Sequence, residues 1–212
     1  PNRMLLMDRM HQALATAQRR QQGGALLFID LDNFKTLNDT LGHDQGDLLL
    51  QQVAVRLNKC VRNVDTVARL GGDEFVVVLQ NLSSDAPEAA AQARTLGELI
   101  LAQLRQPYEL AGHEHHFTAS IGVTLLNHQR DSVDEVLKQA DMAMYRAKQE
   151  GRNAYQFYSP DMQAQAARTL QQCRVLATPA HAASTSAPPC PAGMPPAQCP
   201  RMSWTTGHHP AP

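Results

Sequence analysis

Two pairs of carboxylates stand where a chain would place chemistry. Asp30 and Asp32 close the apolar run ALLFID and its continuation, and Asp73 and Glu74 follow two glycines in RLGGDEF. A sheet that paired these segments centrally would bring four carboxylates to one edge. Four like charges that close repel strongly unless a cation holds them, and hard carboxylate oxygens suit Mg²⁺ or Mn²⁺. Such an ion in turn recruits phosphates. The alternative is that the turn carboxylates are merely solvated, since Asp and Gly are ordinary hairpin residues.

Basic residues are the second clue. Lys35 lies just beyond Asp32 at the start of a helical turn, where backbone N–H groups also favour anions. Lys148 and Arg152 flank the C-terminal end of a later helix, where cations either complement the macrodipole or meet a phosphate.

The elements that must position these groups are legible in the pattern of the chain. Leu6, Met10, Ala13, Leu14 and Ala17 share one stripe of an amphipathic helix that ends before Gly23 and Gly24. Residues 25 to 30 form a continuous apolar run ending in Asp, the form of a strand buried on both faces. A short helical turn around Phe34 to Leu41, the loop GHDQGD and a helix from about Gly46 to Val61 follow, with Leu49, Val53, Leu57 and Cys60 on one face. Residues 65 to 80 read as two strands joined at Gly71-Gly72-Asp73-Glu74.

A helix is expected from Pro87 to Gln106 with Asp85 as its cap, then a strand over 116 to 126. Ser132 and Glu135 have capping-box spacing for a helix that Gly151 stops after Glu150, and residues 154 to 158 make a last strand. Interleaved helices and strands with at least one antiparallel pair predict an α/β fold of the α+β type: a mixed central sheet flanked by helices.

Composition bounds the rest. The 212 residues carry 43% hydrophobic and 18% charged residues and a formal net charge of −1, which allows one globular domain with some chain left over. A near-neutral chain has no electrostatic footprint for nonspecific nucleic-acid binding, and none is expected. No run of 18 apolar residues and no export signal is present, so the expected location is cytoplasmic, with no membrane span in this stretch.

From Pro160 onward lie ten of the thirteen prolines but only four of the thirty-nine charged residues, so this part has a composition of its own. Residues 1 to 159 carry the globular pattern, residues 160 to 172 read as a helical linker, and residues 173 to 212 as a disordered Pro/Ala/Ser-rich tail. Cys173, Cys190 and Cys199 are separated by 16 and 8 residues, which matches no zinc pattern even with His208 and His209 nearby. Cys60 reads as a small core residue.

Taken together, FIDLDNFKTLNDTLGHDQGD at 28 to 47, RNVD at 62 to 65, RLGGDEF at 69 to 75 and YRAKQEGRN at 145 to 153 resemble the GGDEF domain of bacterial diguanylate cyclases. The resemblance covers residues 1 to 159 in the family's order and spacing. It implies a fold similar to nucleotidyl cyclases and the polymerase palm. The implied activity is a nucleotidyltransferase that condenses two GTP into cyclic di-GMP and pyrophosphate in bacterial signal transduction.

Residue by residue, the resemblance implies that Asp30 and Asp73 ligate Mg²⁺ (or Mn²⁺) with the Leu31 carbonyl, and that Glu74 assists at a second metal or the attacking 3′-hydroxyl. Asn38 and Asp47 match the positions that read guanine: a carboxylate can accept from its N1–H and N2–H₂ donors, and an amide can meet O6 or N3. Amides near Asn33 and Phe34, with Lys35, Lys148 and Arg152, would hold the β- and γ-phosphates, and Gly71 and Gly72 would let the turn approach the nucleotide. His43 takes a structural role, hydrogen-bonding its loop. Arg62 and Asp65 match the RxxD inhibitory site, at which cyclic di-GMP acts as product and allosteric inhibitor. One site holds one GTP, so catalysis implies a homodimer.

The start at PNRMLL and the stretch FYSPDMQAQAARTLQQ, which resembles a linker to an EAL phosphodiesterase domain, read as a fragment of a longer GGDEF–EAL protein with sensory or membrane-attached regions. A noncatalytic module that binds GTP or cyclic di-GMP and regulates such a phosphodiesterase is the competing reading. A purely structural dimerisation module is a more distant one.

Overall fold

The computed structural model describes residues 3–126 and 132–162. The tail, most of the expected linker, and Cys173, Cys190, Cys199, His208 and His209 lie outside the described residues. The chain runs α1 (Arg3–Arg20), β1 (Gly23–Leu31), α2 (Phe34–Leu41), α3 (His43–Cys60), β2 (Thr66–Gly71), β3 (Glu74–Leu82) and α4 (Ala86–Leu104). It continues through β4 (Tyr108–Leu110), β5 (His113–His115), β6 (Ala119–Leu126), α5 (Val133–Gln149) and β7 (Tyr155–Phe157).

The main sheet has the order β2-β3-β1-β6-β7, antiparallel throughout except for the parallel β6–β7 pair, so the expected mixed sheet is present. β1 is central and all nine of its residues are buried, which is why its sequence is apolar without alternation. Ala25, Leu27, Ile29 and Leu31 share one core with residues of α2, α3 and α4, whereas Leu26 and Phe28 share the other with α1 and α5. The helices α4 and α5 start where expected: Asp85 accepts from the Glu88 N–H at 3.2 Å, and Ser132 from the Glu135 N–H at 3.2 Å.

One close approach decides where α5 lies. A Cβ built on Gly122 of β6 would stand 1.9 Å from the Ala140 carbonyl oxygen, so the helix backbone rests directly on the strand. Only glycine permits this separation, and it lays the C-terminal half of α5 over the end of β1.

Three expectations change. GHDQGD is the first turns of α3 rather than a loop, since α3 begins at His43. The strand placed over 116 to 126 begins at Ala119, and a separate hairpin, β4–β5, precedes it. Cys60 is half-buried at the last position of α3, packed against the core rather than inside it.

Candidate functional site

The β1–β3 pairing places Asp30 opposite Glu74, and the Leu31 N–H reaches the Asp73 carbonyl oxygen at 3.4 Å. Asp30 and Glu74 share strand parity with Phe28 and Val76, so both face α5. Gly72 and Asp73 form the two-residue turn between β2 and β3. Gly72 takes φ 51°, and a Cβ on Gly71 or Gly72 would meet nothing within 4 Å, so the turn faces open space.

Across this edge Lys148 of α5 places Nζ 2.7 Å from Asp30 Oδ1. Asp30 is nonetheless pushed above the ordinary carboxylate range: burial dominates, and neighbouring Asp73 and Asp32 add to it, while Lys148 only partly offsets the rise. Glu74 is raised by burial and then by the charges of Asp30, Asp141 and Asp73. Asp141, which the sequence reading did not single out, is raised by burial. Its signal was its place two helical turns before Lys148 on the same face of α5.

Asp32 does not join this group. Only 3% exposed, it leaves the strand and is consumed by hydrogen bonds: Thr118 Oγ1 donates to Oδ2 at 2.6 Å, Ser120 Oγ to Oδ1 at 2.8 Å, and the Asn153 N–H to Oδ2 at 3.1 Å. A carboxylate so saturated has little left for a cation, and the expected cluster of four becomes Asp30, Asp73 and Glu74 with Asp141 beside them.

Among the described residues no three His, Cys, Asp or Glu side chains are arranged to cage a metal. Mg²⁺ seldom needs such a cage; it is held by one or two carboxylates, waters and substrate phosphates. Asp30, Asp73 and Glu74 fit that requirement. They are hard-oxygen donors gathered at one sheet edge, and burial makes the charge of Asp30 and Glu74 unfavourable, which a divalent cation would relieve.

On the other face of the sheet, α2 packs on α3. Asn38 Oδ1 is buried without a hydrogen-bond partner, and a Cβ on Gly46 would stand 1.9 Å from it. A buried acceptor of this kind calls for a donor from outside the chain, a water or a ligand. Asp47, exposed in the first turns of α3, lines a depression of about 420 Å³ with Arg69 and Phe75, beside Gly46.

The N-terminus of α2 is open to an anion. Asn33 caps it in the left-handed region at φ 62° without a side-chain hydrogen bond, Phe34 is buried and Lys35 is exposed. Arg152 is also exposed, on a loop where its N–H donates to the Ala147 carbonyl at 3.0 Å. His43 is exposed and makes no hydrogen bond among the described residues, so its expected loop-bonding role is not met.

Arg62 and Asp65 form a fork between α3 and β2. Arg62 Nε and Nη2 donate to the two Asp65 oxygens at 3.0 and 2.9 Å, and Nη2 also donates to the Gln80 carbonyl at 2.6 Å. The Asp65 side chain is 2% exposed and that of Arg62 is 55% exposed, so the guanidinium is held from behind and open in front. The Asp65 hydrogen bond raises the Arg62 pKa further.

The profile of the family described as "Diguanylate cyclase, GGDEF domain" matches residues 1–154. Over 171 residues the chain is 46% identical to the bifunctional diguanylate cyclase/cyclic di-GMP phosphodiesterase MucR of Pseudomonas aeruginosa, covering 81% of this chain and 24% of that protein. It is 38% identical to the cyclic di-GMP phosphodiesterase NbdA of the same organism, covering 80% of this chain and 21% of that one. The chain therefore spans about a quarter or less of the length of these relatives. A solved structure of the TpbB GGDEF domain from Pseudomonas aeruginosa superposes with a TM-score of 0.72 at 37% identity, covering 81% of this chain and 95% of that one.

Proposed function

The chain belongs to the GGDEF-domain family, and from that premise we propose that it condenses two GTP molecules into cyclic di-GMP with release of pyrophosphate. The observation that carries this reading is the pairing of Asp30 with Glu74 at one sheet edge, with Asp73 in the turn and Lys148 reaching in from α5.

Asn38 and Asp47 bind the guanine, the buried Asn38 oxygen accepting from its N–H edge. The open amides at Phe34 and Lys35, with the side chains of Lys35, Lys148 and Arg152, hold the β- and γ-phosphates. Gly71 and Gly72 leave room for the nucleotide over the turn. Asp30, Asp73 and the Leu31 carbonyl, with help from Glu74, would hold Mg²⁺ or Mn²⁺. When bound, the metal lowers the charge on the α-phosphate and favours ionisation of the attacking hydroxyl.

Glu74, paired across the sheet with Asp30, accepts the proton of the 3′-hydroxyl. The freed oxygen attacks the α-phosphorus of the GTP held by a second copy, and pyrophosphate leaves against Lys148 and Arg152. Two such steps close the ring, so two copies must face each other. Cyclic di-GMP binds back at the exposed face of Arg62, beside Asp65, as an inhibitor.

A second reading rests on NbdA: a relative whose name is that of a phosphodiesterase carries a region this similar. In that reading the site binds GTP or cyclic di-GMP without turnover and regulates an attached domain. Incubation with GTP and Mg²⁺ separates the two. Cyclic di-GMP in the chromatogram supports the cyclase, and saturable GTP binding without product supports the regulatory module.

A further inference from the structure

The loop between α5 and β7 is bent more than helix termination requires. Gly151, Arg152 and Asn153 have φ of 118°, 64° and 50°. One left-handed residue, normally glycine, ends a helix. Arg152 is disfavoured in that region and persists there only where the surroundings hold it, and Asn153, a residue that tolerates the region, follows it.

What holds them is a grip on Asn153 from two sides. Its N–H donates to Asp32 Oδ2 at 3.1 Å. Its carbonyl and its side-chain oxygen both accept from Arg105, the residue that ends α4, at 3.0 Å and 2.6 Å. Asp32 is itself fixed by Thr118 and Ser120. The N–H, the carbonyl and the side-chain oxygen of Asn153 are all engaged, whereas the neighbouring Arg152 side chain is exposed and has no hydrogen bond among the described residues. Asp32 directly precedes Asn33, so this grip fastens the end of α5 to the start of α2.

We infer that Asp32 and Arg105 are positioning residues: by clamping Asn153 between them, they hold Arg152 beside the start of α2 as part of a preformed triphosphate cradle. The inference rests on the GTP reading above. Neither residue touches the nucleotide; each acts through the loop. Preorganisation of this kind tightens binding of the phosphates and leaves binding of the base unchanged.

The test uses the full chain, Mg²⁺, an α,β-methylene GTP analogue that cannot turn over, and GMP, with affinities measured by titration calorimetry. Arg105→Ala, at an exposed position, should weaken the triphosphate about fivefold and leave GMP unchanged. Asn153→Ala should do the same. Asn153→Asp, which keeps an acceptor for Arg105 and tolerates the left-handed backbone, should retain most of the affinity. If Arg105 acts through Arg152, the double variant Arg105→Ala/Arg152→Ala should bind no more weakly than Arg152→Ala alone. Unchanged triphosphate affinity in Arg105→Ala, an equal loss for GMP, or additive losses in the double variant would overturn the clamp while leaving the GTP reading in place. A parent chain that binds neither nucleotide would overturn both.

Discussion

Lys148 Nζ stands 2.7 Å from Asp30 Oδ1 and joins the last turns of α5 to the end of the central strand. The ammonium occupies one oxygen of a carboxylate that burial has already made reluctant to ionise. A cation beside Asp30 is thus a structural need of this edge, and Lys148 meets it.

Replacing Lys148 with Met should therefore leave Asp30 uncompensated. The pair is half shielded, so the expected loss is about 1–3 kcal/mol, below that for a fully buried pair. Mg²⁺ should restore more stability to Lys148→Met than to the parent, read as the difference in Tm with and without the ion. An equal Mg²⁺ effect in both proteins would place the ion away from Asp30.

Asn38→Ala should weaken GTP binding about tenfold or more while costing little stability, because its Oδ1 has no hydrogen bond to lose. Gly46→Ala offers an independent check. The added methyl would fall 1.9 Å from that oxygen and displace it, so GTP affinity should fall although Gly46 is assigned no contact with the base. Calorimetric titration with GTP reads both variants.

Arg62→Ala should abolish inhibition by cyclic di-GMP and lower stability by about 1–2 kcal/mol, because the buried Asp65 loses its fork. Arg62→Lys should recover part of the stability but not the inhibition, since an ammonium cannot reproduce the fork. Initial rates against added product, with thermal melts alongside, test both statements.

Tyr108 gives a pH prediction. Arg56 lies over its ring at 3.6 Å from the centre, and its hydroxyl is buried without a hydrogen-bond partner. Burial pushes its pKa up to about 12. The unfolded chain loses this proton near pH 10 while the folded one keeps it. The stability contribution is therefore whole below pH 10 and is lost as pH rises from 10 to 12, by an amount of order 3 kcal/mol. Tyr108→Phe should be tolerated at pH 7 and should lose less stability than the parent between pH 10 and 11.5 in denaturant melts.

The fold was largely legible because its signals are local. The unbroken apolar run of β1, the caps Asp85 and Ser132 and the Gly72 turn each act within a few residues. The β4–β5 hairpin was not legible, since its turn puts Ala111, an alanine, at φ 52° where sequence rules look for Asn or Asp. Asp32 was misplaced because its partners Thr118, Ser120 and Asn153 are brought to it only by tertiary packing. Asp30 and Asp32 both read as the end of the first strand, but β1 ends at Leu31 and leaves Asp32 beyond it. His43 was read as a loop residue because a glycine-bounded polar stretch conceals the first turn of α3.

The most direct test of the cyclase reading is the initial rate of cyclic di-GMP formation from GTP and Mg²⁺, measured across a wide range of protein concentration for the parent chain and for Asp73→Ala. The carboxylate edge and the two-copy reaction predict a specific rate that rises with protein concentration in the parent and product that is absent in the variant. No cyclic di-GMP from the parent at any concentration, with GTP demonstrably bound, would contradict it.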